Sequence, residues 1–240
     1  MQQYDNYISS AKLDQAEDYW SVGNKPHFSW ILRKLIKLRE EASALFLASV
    51  NWAQVKGGWI WDRIRERKDK VIWHRLIWFP AHVPKYSLIT WMAILDRLST
   101  KDRLARFGVM TDLGCRLCGA GLESRNHLFL ECSYSKAVWD SILHACRLQQ
   151  QDSSWDDLLG WMACNWKGKS LLVHILKLAW TGFVYFTWEE RNYRIFRGLS
   201  RSPDTIVDII KGAVRTKLYR HDMNRVDNVN RQLCIDWELM

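Results

Sequence analysis

The chain has 240 residues, 48% of them hydrophobic and 25% charged, with only 4 Pro and 12 Gly, which excludes a disordered or low-complexity polymer and allows a sizeable core. Its formal net charge of +9 makes a polyanion, nucleic acid first among them, the expected charged partner. Fifteen tryptophans are an unusual load; indoles of this number are expected mainly as core anchors, with base stacking as their minority role.

The opening "MQQYDNYISS" has no basic region, apolar stretch and small-residue cleavage site of the secretory type, which points to an intracellular, reducing setting. It also lacks a domain-like start, so the chain is expected to be a piece of something longer. In "SWILRKLIKLREEASALF", Ile31, Leu35, Leu38, Ala42 and Leu45 fall on one helical face, with Arg33, Lys34, Lys37 and Arg39 on the solvated side. The Gly57-Gly58 break in "KGGWIWDRIRERKDK" marks a boundary, and the basic run at 63–70 is a weak nuclear address. Three segments result: 1–56, 57–148 and 149–240.

"PKYSLITWMAILDRL" reads as a helix opened by Pro84. "STKDRLARFG" is a second, capped by Ser99 or Thr100, with Asp102 in its first turn and Gly108 at its end. "SYSKAVWDSILHACRL" is a third, with Val138, Ile142, Leu143 and Cys146 on one side. The segment "SLLVHILKLAWTGFVYFTW" is apolar enough to raise a membrane span, but His174, Lys177 and Thr181 form a polar stripe opposite Leu171, Ile175, Leu178, Gly182 and Phe186, so a long core helix without a membrane partner is expected. A helix ending near Gly198 follows, then a turn at "SRSPD", then a helix with Ile206, Ile209, Ile210 and Val214 inward. With no strand-turn-strand signal, the fold class is all-α: a helical domain with a small structural zinc loop.

That loop is "CRLCGAGLESRNHLFLEC", with the spacing Cys115-x2-Cys118-x8-His127-x4-Cys132. Two cysteines two apart bring both sulfurs to one ion across a tight turn, and Gly114 and Gly119 lend that turn backbone freedom. Three thiolates and one imidazole form a closed tetrahedral set suited to Zn²⁺, so one structural zinc ion is expected at Cys115, Cys118, His127 and Cys132. Leu128, Phe129 and Leu130 are expected to cover it. The isolated Cys146, Cys164 and Cys234 read as small buried hydrophobes, and His82 and His144 as surface or satisfied core residues.

Catalytic patterns are lacking. The acid pair Asp156–Asp157 reads as a helix start with Ser154 as N-cap, not as a two-metal site. The order of His, Glu and Cys of a zinc deaminase, the P-loop, the dinucleotide fingerprint and the nucleophile elbow do not occur. No enzymatic activity is expected.

Together the segments "VIWHRLIWFPAHVPKYSLITWMAILDRLSTKDRLARFGV" and "CRLCGAGLESRNHLFLECSYSKAVW" resemble the reverse-transcriptase zinc-binding domain that follows the polymerase in plant LINE-type (non-LTR) retrotransposons. "YFTWEERNYRIF" is similar to the tail that follows that domain. The resemblance implies zinc ligation by the same four residues and a C-terminal piece of an element. The polymerase's aspartate motif and the spaced acids of a ribonuclease H or an endonuclease do not accompany it.

The leading functional expectation is a zinc-stabilised module that binds RNA or DNA without sequence preference, with a reverse transcriptase as a further partner. Its phosphate contacts would come from Arg97, Lys101, Arg103 and Arg106 before the loop and Arg191, Arg194, Arg197 and Arg201 after it. Trp91 and Trp139 are candidates for base stacking, though burial is the simpler role. A structural or protein-interaction zinc module and a decayed element without selected activity stay open as alternatives.

Overall fold

The computed structural model describes residues 69–110, 112–149, 154–219 and 228–239, with isolated positions between 23 and 66. Of the expected helix over "SWILRKLIKLREEASALF", Arg33, Ile36, Lys37 and Leu38 are described and helical, but Leu38, expected inward, is 45% exposed and its neighbour Ile36 is the buried residue; its other positions, the Gly57-Gly58 boundary and most of the basic run lie outside the described residues. The chain divides at Asp69/Lys70, and the second unit, Lys70–Met240, carries the architecture that follows.

Its helices are α1 (His74–Ile77), α2 (Pro84–Ile94), α3 (Lys101–Arg106), a π-helical turn (His127–Glu131), α4 (Ser133–Ala145), α5 (Trp155–Asn165), α6 (Leu171–Arg197), α7 (Pro203–Leu218) and α8 (Asn228–Asp236). Among the described residues the β-type pairing is a single antiparallel bridge, Gly114 with Leu122, inside the cysteine loop. The domain is helical with a small Cys/His loop, and helices from both sides of residue 148 pack in the one unit.

Local sequence sets the helix ends. Pro84 opens α2, where its missing N–H is harmless, and Pro203 does the same for α7. Ser154, Ser170 and Ser202 accept the backbone N–H of Asp157, Val173 and Thr205, capping α5, α6 and α7. Thr100 precedes α3, but its hydroxyl donates to Asp102 Oδ1 at 2.5 Å instead of accepting a cap bond. Gly198 at φ +65° stops α6, and Gly108 at φ +79° follows α3; both conformations favour glycine.

The centre is α6, which packs against α2 and α7 and also meets α1, α4, α8 and the π-helical turn. "SLLVHILKLAWTGFVYFTW" and "EERNYRIF" are one continuous 27-residue helix, not two. Of its most apolar 18-residue window, 83% is buried inside the protein. The expected polar stripe is not a solvated one: Thr181 is fully buried and bonds back to Lys177 O, and Lys177 is 7% exposed, 5.9 Å from the Phe79 ring. Burial holds the Lys177 ammonium below its ordinary pKa, with Arg75 adding repulsion. A helix buried nearly all round has no solvent face on which to place such residues.

Val138, Ile142, Leu143 and Cys146 bury one side of α4 as expected, and Ile206, Ile210 and Val214 do so for α7, with Ile209 only partly covered. Trp139, Trp155, Trp166, Trp180, Trp188 and Trp237 are core residues, which fits the anchor role. Cys146 and Cys234 are buried. Cys164 is exposed, because it lies on the outer side of the amphipathic α5.

Candidate metal centre

Three pieces of backbone bring the four candidate ligands together. The Cys115–Cys118 turn is closed by the Gly119 N–H on Cys115 O at 2.9 Å, with Gly119 at φ +71°. The bridge beside it, with Cys115 N–H on Gly121 O at 2.7 Å and Glu123 N–H on Leu113 O at 2.8 Å, folds the loop back on itself. The π-helical turn then carries His127, and its last bond, Cys132 N–H to His127 O at 2.7 Å, sets Cys132 beside the histidine at the start of α4. A π-turn adds a residue to the helical repeat, and such turns concentrate at functional sites. Here it reconciles the His-x4-Cys spacing with a common focus.

The ligand atoms of Cys115, Cys118, His127 and Cys132 all lie within 4.8 Å of one another. Cys115 Sγ is 3.9 Å from Cys132 Sγ, and Cys118 Sγ is 3.3 Å from His127 Nε2. A tetrahedral zinc with Zn–S bonds of about 2.3 Å requires sulfur–sulfur edges of about 3.8 Å, so the donors fit the ion in both type and spacing. The sulfur separation is far beyond a disulfide bond, and all four side chains are buried or half-buried. Glu131 Oε2 lies 3.7 Å from His127 Nδ1, on the ring edge away from the sulfurs, where a carboxylate orients a metal-bound imidazole. The hydrogen bond to Cys132 and burial push the Cys115 thiol up to about 12, while that same bond brings Cys132 down to about 7. Zinc binding would take these sulfurs as thiolates and release their protons.

Leu128 and Phe129 are buried and Leu130 half-buried. Of the two glycines expected to matter, Gly119 has the positive φ and Gly114 does not. Gly121, which spacing did not single out, is the tighter constraint: a Cβ there would sit 2.4 Å from His127 Cε1. The imidazole lies directly over the glycine backbone, a contact visible only once the loop is folded.

The eight basic residues expected at a phosphate surface divide sharply. Arg191 is 4% exposed, and its guanidinium donates to Glu123, a fully buried carboxylate, with Nη2 to Oε1 at 2.6 Å and Nε to both oxygens at 3.1 Å. Lys101 is 5% exposed and donates to Gly114 O and Asp112. Arg194 bonds Glu190 and Leu117 O, both at 2.8 Å, and Arg201 holds Glu190 and Glu189. Buried carboxylates have claimed the three arginines, and Lys101 is held by a backbone carbonyl and the exposed Asp112, so as folded these cations clamp the cysteine loop and α7 onto α6. Arg103 donates to Asp96 O, and Arg106 lies 3.4 Å from both Asp96 and Asp102. Arg97 and Arg197 are exposed, and so is Arg116, inside the Cys115–Cys118 turn and not among the residues anticipated. Trp139 is buried and Trp91 partly so. Ser154 caps Asp157 at 3.3 Å, so the acid pair is a helix start.

Fold and site together define a helical protein organised around a Cys3His metal loop. Residues 58–139 match the family described as zinc-binding in reverse transcriptase, a stretch that holds all four candidate ligands. No curated protein and no solved structure matches the chain.

Proposed function

We propose that the chain binds one structural zinc ion and, on the surface around it, RNA or DNA without sequence preference. The observation that carries the reading is the convergence of four zinc-type ligand atoms within 4.8 Å, inside the segment that matches a reverse-transcriptase zinc-binding family. A closed set of four protein ligands leaves no vacant position for a substrate or an activated water, so the ion holds structure and performs no reaction. The chain is read as the C-terminal piece of a plant LINE-type element, without enzymatic activity, acting inside the cell and in the nucleus beside a reverse transcriptase.

The net charge of +9 supports a polyanionic partner. The contacts fall to the exposed cations Arg97, Arg116 and Arg197, with Arg106 beside them, because Lys101, Arg191, Arg194 and Arg201 are spent inside the fold. Binding of the zinc-loaded chain to single-stranded RNA and to duplex DNA over a salt series tests this. Affinity should fall steeply with salt, and Arg97→Glu, Arg116→Glu and Arg197→Glu should each weaken it uniformly across sequences and reduce the salt slope by roughly one. No binding at low salt, with zinc in place, refutes it.

One observation favours a second reading, a protein-interaction module. Phe107, Val109, Met110 and Leu122 are 70%, 49%, 97% and 70% exposed, all in or just before the metal loop. Salt-insensitive association with a protein, lost on Met110→Asp or Leu122→Asp, would select it.

A further inference from the structure

A cavity of about 740 Å³ is walled by Trp139, Trp155, Trp161, Trp166 and Trp180, with the π-helical turn contributing Phe129 and Leu130 to its lining. Its size falls within the range of small-molecule sites, roughly 300–1,000 Å³. The indoles meet edge-on: Trp161 with Trp166 and Trp166 with Trp180 both cross at 77°. None of these indole pairs is a parallel stack, while Arg125 lies over the Trp155 ring at 4.9 Å and Trp139 tilts against Phe183.

Two of the five are electrostatically incomplete. Trp155 and Trp166 are buried, and their indole N–H groups have no acceptor among the described residues. Trp237, equally buried elsewhere, donates to Ala145 O at 3.2 Å, the usual arrangement for a buried indole. Polar groups line the same cavity: Arg147, its side chain 65% exposed and its Nε 3.7 Å from Asp236 Oδ2, with Lys136, Asn126 and Gln149. The acids there are engaged, Asp157 by the Ser154 hydroxyl at 2.6 Å and Glu131 near His127.

We infer that this cavity takes a nucleobase with its phosphate, either as a free nucleoside monophosphate or as an unpaired residue of a single strand. The flat aromatic body packs among the indoles, and the phosphate lies toward Arg147 and Lys136. In its strand form the inference rests on the nucleic-acid reading above; in its free-nucleotide form it does not.

The zinc-loaded full chain is titrated with AMP, with UMP, with a short single-stranded RNA, and with the same strand carrying one abasic position, following tryptophan fluorescence and the anisotropy of labelled RNA. Trp161, 45% exposed at this cavity, is replaced by Ala, and Arg147→Glu is the second variant because it leaves the core untouched; Trp78→Ala, equally exposed but outside the cavity, is the control. Quenching by the ligand, with affinity weakened about tenfold or more by Trp161→Ala and unaffected by Trp78→Ala, is the expected result. Quenching by AMP or UMP assigns the free nucleotide, and quenching by RNA alone assigns the strand. If AMP binds and RNA does not, the cavity assignment holds and the nucleic-acid reading falls. If RNA binds with a steep salt dependence but Trp161→Ala, Arg147→Glu and the abasic strand all leave affinity unchanged, the cavity assignment is overturned and the nucleic-acid reading stands. Quenching by none of the ligands overturns the cavity assignment outright.

Discussion

Glu123→Leu is the most informative single substitution in this protein. Glu123 is fully buried and accepts from Arg191 Nη2 at 2.6 Å, from Arg191 Nε at 3.1 Å and from the Lys101 backbone N–H at 2.9 Å. Without the carboxylate, the Arg191 guanidinium, 4% exposed, keeps Ser99 O at 3.3 Å, Asn192 Oδ1 at 2.9 Å and the face of the Trp188 ring at 4.8 Å, none of them a compensating charge. Removing one partner of a buried ion pair costs about 3–5 kcal/mol, mostly the penalty of the stranded charge. For a unit of this size, at about 2–4 °C per kcal/mol, the melting temperature should fall by roughly 10 °C. Urea denaturation of the zinc-loaded protein, followed by tryptophan fluorescence, measures the loss. Arg191→Met should be destabilising as well, and the double variant Glu123→Leu/Arg191→Met should recover most of the loss, because two apolar side chains leave no charge unpaired. Because Glu123 belongs to the metal loop and Arg191 to α6, Glu123→Leu should also speed zinc loss to a chelator. A cost below about 1 kcal/mol, or a double variant no better than the sum of the singles, would refute the clamp.

Cys118→Ala or His127→Ala should abolish zinc stoichiometry and loosen α4, read by metal analysis and by hydrogen exchange of residues 133–145; unchanged zinc content refutes the ligand assignment. Gly121→Ala should force the His127 ring aside, since the new methyl would lie 2.4 Å from Cε1, and weaken zinc binding at least tenfold in a chelator competition. Burial pushes the Glu190 carboxyl up, but bonds from Arg194 and Arg201 more than offset it and hold it below its ordinary value of 4.5. Its stabilising contribution is therefore complete above pH 4.5 and is lost as pH falls through the lowered value. The stability gap between the natural protein and Glu190→Gln, from urea curves across that range, should be widest near neutrality and shrink toward acid; a gap independent of pH refutes the assignment.

By itself the sequence determined the candidate ligand set and most helix boundaries, because these depend on short-range patterns: two cysteines two residues apart, a serine before a helix, a proline at its first turn, a glycine at its end. It also placed the inward faces of α4 and α7, which follow from helical periodicity. Tertiary structure decided the fate of the charges. Arg191, Arg194, Arg197 and Arg201 look equivalent along the chain, yet Arg191 meets Glu123, 68 residues away, and Arg194 and Arg201 converge on Glu190, while Arg197 stays exposed. Lys177 and Thr181 read as a polar stripe and are core residues, since α6 is surrounded by its neighbours. Gly121 gained its importance only when the imidazole of His127 came to rest on it. In each case the deciding contact joins segments whose proximity no local spacing encodes, and the energy of a charge or a close approach depends on what lies within a few ångströms of it.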